Sequence, residues 1–199
     1  MITDSVTEML EQIALEIREV YEERGYRVDT ALEQDPAFTK SATCRSSLGR
    51  ALVAQAFTTG ASRVGFDLDP AAHGAKQFRA NLGREIGVFR LRKAEVLADG
   101  SYKIVTSSTS TWGDADEGTL ITETPYVLGY TLLSNQIGDI FFAKVIGVTG
   151  GNPGELILGR PVSLGRGNSI SSDAFEPDVD DTLPGFDETE ADETDSGVA

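Results

Sequence analysis

The chain has 199 residues, with 32 acids against 17 Lys and Arg, a net charge of −15, one cysteine and one histidine. That length suits one domain with an extension and is enough to bury a core. The lone Cys44 excludes an intramolecular disulfide, and with His73 as the sole histidine it excludes Cys/His zinc clusters and the HExxH pattern. No apolar run approaches the ~18–20 residues of a membrane span. The first residues have neither the basic region nor the apolar run of a signal peptide, so the expectation is a soluble cytoplasmic protein. The charge is unevenly placed. Eleven acids and no base lie between Ser171 and Ala199, leaving 21 acids against 17 bases in the first 170 residues, a net of −4. The body is therefore nearly balanced, and the total charge does not exclude a nucleic-acid partner.

Ser5 and Glu8 match a capping box, which predicts a helix over Val6–Arg24. Its stripe is Val6, Met9, Leu10, Ile13, Ile17, Val20 and Tyr21, with Gly25 as the stop. The stripe packs on the sheet or, alternatively, meets a partner helix. Pro36 predicts a break. Ala42–Thr58 reads as a second helix with Leu48, Leu52 and Phe57 inward, ended by Gly60. Arg63–Asp69 reads as a short strand or extended link. Asp69-Pro70 then reads as a helix opening, aspartate as N-cap and proline at the first position. That third helix runs to about Leu82, with Ala75, Phe78 and Leu82 on its apolar side.

From Gly87 the chain reads as successive strands. Gly87–Leu97 mixes apolar and charged residues on both faces, and Asp99-Gly100 predicts a two-residue hairpin turn. Ser101–Thr111 returns with Tyr102, Ile104 and Thr106 on one face, its Ser/Thr end suiting an edge. Trp112–Gly118 is a loop, and Thr119–Glu123 a short strand interrupted by Pro125. Tyr126–Leu133 follows, with Gly129 as a bulge, then a turn at Ser134-Asn135. Ile140–Val148 is apolar enough to be buried on both faces. After the glycine-rich loop 149–154, Glu155–Leu158 and Pro161–Leu164 close the sheet. The connections predict five to seven strands, mostly antiparallel.

Three places carry chemistry. Asp67 and Asp69, on one side of a strand end, are hard oxygen donors that suit Mg²⁺ in phosphoryl transfer, with Glu85 or Glu95 as the nearest third acid. Asp69 also has the plain role of N-cap. Lys76, Arg79, Arg84, Arg90, Arg92 and Lys93 fall within 18 residues, opposed by Glu85 alone. Lys76 and Arg79 share a helix face and Arg90 and Arg92 a strand face, so the group forms either a phosphate-binding patch or a solvated surface. In the acidic end, Phe175, Val179, Leu183 and Phe186 alternate with carboxylates, as in a linear peptide that docks in a basic groove or masks the patch. The glycine-rich loop lacks the lysine and helix of a phosphate-binding loop.

The sequence thus predicts an α+β fold, with N-terminal helices followed by an antiparallel sheet that curls into a half-barrel or packs one face on the helices. The domain spans 1–167, helical over 1–84 and β-rich over 85–166. A disordered acidic tail occupies 168–199. The leading expectation is a non-enzymatic binding or regulatory accessory protein without cofactor, its tail contacting another protein. The alternatives are a Mg²⁺-dependent enzyme on Asp67 and Asp69 and a nucleic-acid-binding protein on the basic patch. Oligomeric state is left open.

Overall fold

A computed structural model describes residues 4–69, 76–83, 85–106, 112, 123–133, 136–151 and 153–165. Four helices come first: α1 (Asp4–Arg24), α2 (Tyr26–Glu33), α3 (Pro36–Thr39) and α4 (Ala42–Arg63). Ten strands follow. They are β1 (Asp67–Leu68), β2 (Gln77–Asn81), β3 (Ile86–Lys93), β4 (Glu95–Val96), β5 (Tyr102–Lys103), β6 (Val105–Thr106), β7 (Glu123–Leu133), β8 (Gln136–Val148), β9 (Gly154–Leu158) and β10 (Val162–Leu164). Helices followed by a half-barrel sheet is the α+β arrangement expected.

The α1 stripe is used inside the molecule. Val6, Leu10, Ile13, Ile17 and Tyr21 are buried against α4 and the sheet. The helix already includes Asp4 and Ser5, so Ser5 is not its cap. Gly25 is right-handed helical, φ −58°, and joins α1 to α2 rather than stopping the chain. Pro36 opens α3, with the Asp35 carboxylate accepting from the Ala37 N–H. α4 runs past Gly60, because the face it buries is one of small residues. A Cβ at Gly60 would lie 3.3 Å from the Ile13 Cα, so this glycine sets the approach of α1 rather than an end. Phe57 is buried there as expected, whereas Leu48 is exposed.

The third helix expected over 70–82 is corrected over its described part. Gln77–Asn81 is a strand, with Phe78, Ala80 and Leu82 buried at alternate positions. The last helix among the described residues ends at Arg63. Phe78 is opposite Phe89 in β3, which is opposite Tyr126 in β7. Their rings stack in sequence: Phe66 on Phe78 at 4.3 Å, Phe78 on Phe89 at 5.0 Å, Phe89 on Tyr126 at 4.9 Å.

The sheet order is β1-β2-β3-β7-β8-β9-β6, with β10 also on β8 and with β4 and β5 paired separately. It is mixed rather than purely antiparallel, since β3 and β7 are parallel. Among the described residues between them, 94–106 and 112, there is no helix, only the short strands β4, β5 and β6. Pro125 lies within β7, where it faces only Val88 of β3; the ladder to β8 begins at Tyr126. The Asp99-Gly100 hairpin forms, but with a three-residue loop: Leu97 N–H donates to Ser101 O, Gly100 N–H to Leu97 O, and Gly100 has φ 80°.

One sheet face packs on the helices. The other carries a second core of Ile104, Val127, Phe141, Ala143, Val145 and Leu156. Of the Ile140–Val148 run expected to be buried on both faces, only Ile140–Ala143 is; beyond it the strand alternates, with Lys144, Ile146 and Val148 exposed. The bulge in β7 falls between Tyr130 and Leu132, not at Gly129. Gly129 lies opposite Phe141, whose ring crosses it and stacks on Tyr102 at 3.9 Å. The Phe141 Cε1 would be 2.6 Å from a Cβ at Gly129. Gly129→Ala is therefore expected to destabilise by ~1–3 kcal/mol in urea unfolding. Phe141→Leu in the same chain should recover part of that loss, with the two changes non-additive.

Burial pushes the Tyr130 phenol up to about 12, with Arg50 partly opposing, and burial also raises Tyr21 and Tyr126. A phenol raised in the folded state contributes stability at pH values below ~10, its unfolded value. That contribution is lost as pH rises through about 12. Unfolding free energy should fall across this window by ~1.4 kcal/mol per pH unit through Tyr130. Tyr130→Phe should make the fall shallower in denaturant titrations.

Candidate functional site

Strand alternation puts Phe78, Phe89 and Leu91 on the helix side. Gln77, Arg79, Arg90 and Arg92 therefore lie on the reverse face. Register then brings partners together. Gln77 is opposite Arg90, and Arg79 opposite both Val88 and Asp67. The Asp69 N–H donates to Gln77 O at 3.2 Å, extending the β1 ladder, so its backbone serves the sheet.

The side chains form one network. Asp69 Oδ2 accepts from Gln77 Nε2 at 2.7 Å and from an Arg79 terminal nitrogen at 3.1 Å. Arg79 Nε reaches Glu123 Oε1 at 3.2 Å. Arg90 Nε donates to Gln77 Oε1 at 2.8 Å. Beyond Arg90 comes Trp112, whose ring centre is 4.8 Å from the Arg90 guanidinium carbon and 5.4 Å from that of Arg92. The indole N–H donates to Thr106 Oγ1 at 3.1 Å, which fixes the ring over the two cations. Arg92 donates to its neighbour's carbonyl, Leu91 O, at 3.0 Å.

Burial lowers both arginine pKa values. Asp69 and Glu123 partly compensate at Arg90, while at Arg92 the nearby charges, Arg90 and Arg50, are like charges and lower it further. A guanidinium stays protonated in proteins, so the lowering measures how poorly the charge is solvated. The face is thus graded, with carboxylates at the Asp69 and Glu123 end and two partly desolvated cations under an indole at the other.

The two sequence candidates meet here, where Asp69 of the acid pair contacts Arg79 of the basic patch. Of the acids, Asp69 is held by an amide and a guanidinium; the Asp67 backbone is described but its side chain is not. Glu85 is engaged elsewhere, its Oε2 accepting from Thr124 Oγ1 at 2.6 Å, and Glu95 is exposed on β4. The nearest carboxylate across Arg79 is instead Glu123. Among the described residues no group of three or more His, Cys, Asp or Glu is placed to hold a metal ion.

Of the bases, Arg90 and Arg92 share a face as expected. Arg79 also lies on that face, on a strand rather than a helix, and is paired with carboxylates. Lys76 is exposed just before β2, and its carbonyl accepts from the Leu91 N–H at 2.9 Å. Lys93 belongs to the helix side. Arg84, His73 and the tail positions Phe175, Val179, Leu183 and Phe186 lie outside the described residues. Sequence reasoning missed Trp112, Gln77 and Glu123; the only available signal was that Trp112 is the sole tryptophan. No described helix is long and apolar enough to cross a membrane.

Comparison with protein-family models, with curated proteins and with solved structures gives no match.

The Asp69 side chain is 12% exposed and that of Arg79 44%. Asp69→Ala removes the acceptor of two donors, one of them the buried Gln77, so it should cost ~1–3 kcal/mol in thermal or urea unfolding. Arg79→Ala removes two exposed ion pairs and should cost ~0.2–1 kcal/mol per pair at most. A larger loss at Arg79 would count against the network as drawn.

Proposed function

We propose that this chain is a non-catalytic binding protein whose Arg90–Arg92–Trp112 face receives an anionic partner, with single-stranded nucleic acid the class that fits best. The carrying observation is the pair of half-buried guanidiniums under one indole, with Asp69 and Glu123, among the described residues, on one flank. Guanidinium groups hold phosphate in a fork geometry, and an aromatic face stacks on any base. An arriving phosphate relieves the like-charge strain at Arg92. The carboxylate end bounds the positive surface to a short footprint. In this reading the acidic stretch 168–199 contacts a second protein, and an intracellular location goes with the free Cys44. The Mg²⁺ reading has less support, because Asp69 is bonded to Gln77 and Arg79.

The sole tryptophan lies in the face, so its fluorescence reports from there. Titrating labelled single-stranded oligonucleotide should quench Trp112, with affinity that falls steeply as salt rises. Arg90→Ala with Arg92→Ala should weaken binding and reduce the salt slope by ~1.4, at about 0.7 per phosphate contact for single strands. An unchanged slope in that double variant, or binding that leaves Trp112 fluorescence unmoved, removes the proposal.

A further inference from the structure

The helix layer covers only part of the sheet. Ile140 and Phe142 of β8 are in the helix-side core, opposite Leu164 and Val162 of β10. Alternation puts Lys144 next on that face, and it is exposed. Ile146 follows, 67% exposed. A Cβ at Gly159 would lie 3.7 Å from both the Lys144 Cβ and the Ile146 Cδ1, so the two side chains share the face. Ile157 of β9 joins them. Its neighbours Leu156 and Leu158 pack in the reverse-face core, so Ile157 points to the helix side, where it is 46% exposed. The register shift between Val145 and Gly147 makes Ile146 the extra residue beside it. Val162 is 42% exposed on the same face.

Single exposed apolar residues are ordinary, but contiguous ones rimmed by charge mark interaction sites. Along β8 this face reads apolar at Val162, cationic at Lys144 and apolar at Ile146 with Ile157, in steps of two residues. Lys144 makes no ion pair among the described residues, whereas Glu155 further along is held by Lys103 at 2.7 Å. The complement is an extended segment with an apolar, an acidic and an apolar side chain at alternate positions, since those share one face. Val179, Asp181 and Leu183 have that spacing, within the stretch of eleven acids and no base. β10 runs from Val162 to Leu164 along Phe142 to Ile140, so the chain leaves the sheet heading away from Lys144.

We infer that this face receives the Val179–Leu183 segment of a second copy of this chain. Asp181 pairs with Lys144, and the two apolar residues of the segment cover Val162 on one side and Ile146 with Ile157 on the other. A segment from a second copy reaches Lys144 without the reversal of direction its own chain needs. Reciprocal exchange of identical segments closes on itself, so the assembly is a dimer. The inference rests on the acidic stretch contacting a protein and names that protein as a second copy. It does not involve the Arg90–Arg92–Trp112 face.

The test is sedimentation velocity of the full chain at rising concentration, where a reversible monomer–dimer equilibrium is expected. Ile146→Asp, and separately Val179→Ser with Leu183→Ser, should each weaken dimerisation at least tenfold. Mixing those two variants should restore association, because one supplies the segment and the other the face. Lys144→Glu should also weaken the dimer, and adding Asp181→Lys to that chain should recover it, an outcome that a misfolded variant does not give. A wild-type chain that stays monomeric overturns the inference and leaves the nucleic-acid reading standing. This includes the case in which Val179→Ser with Leu183→Ser shifts the Ile157 and Val162 amide signals of that monomer, the signature of occupancy within one molecule. Association that survives both single-sided variants, or no recovery in their mixture, also overturns it.

Discussion

Four aromatic rings stacked across neighbouring segments organise this fold. Phe66 precedes β1, Phe78 is in β2, Phe89 in β3 and Tyr126 in β7, with successive centres 4.3, 5.0 and 4.9 Å apart. Offset stacking of this kind adds ~0.5–1.5 kcal/mol per pair to the burial of each ring. Its larger effect is on register. A strand that slips by one residue turns its whole apolar set to the other face. With the rings aligned, the reverse face of β2 and β3 must carry Gln77, Arg79, Arg90 and Arg92. The candidate site is thus the outward consequence of the core.

On that face, electrostatics divides a run of basic residues that looks uniform in sequence. Arg79 is drawn between Asp69, just past β1, and Glu123, at the start of β7. Arg90 is tied through Gln77 to the same group. Among the described residues Arg92 meets a backbone carbonyl, two neighbouring cations and the indole. Exposed pairs such as Arg79–Glu123 contribute little to stability, so their main effect is to shape where positive potential remains.

The helix side shows how glycine serves a packed interior. Gly60 lets α1 and α4 approach, Gly49 leaves space at the Tyr21 hydroxyl, and Gly129 on the reverse face accommodates Phe141. None of these three requires a left-handed backbone. The absent Cβ is what matters, and at Gly49 it leaves room for the Tyr21 hydroxyl and a Leu132 methyl.

The sequence by itself determined the elements whose patterns have one solution. The α1 stripe recurs with a helical period over about four turns, and the Ile140–Ala143 run of β8 is too apolar to lie anywhere but in a core. Arg90 and Arg92 are two apart in a strand and must share a face. Residues 77–82 were ambiguous, because Phe78 and Leu82 fit a helix while Phe78, Ala80 and Leu82 fit a strand equally well. Only stacking from Phe66 and Phe89 decided between them. Gly60 and Pro125 carry breaking signals that a close helix contact and a one-sided stretch of ladder overrode. The parallel β3–β7 pair, and the meeting of Asp69, Glu123 and Trp112 around the arginines, were likewise tertiary decisions. Those residues are far apart along the chain, and strand pairing alone brings them together.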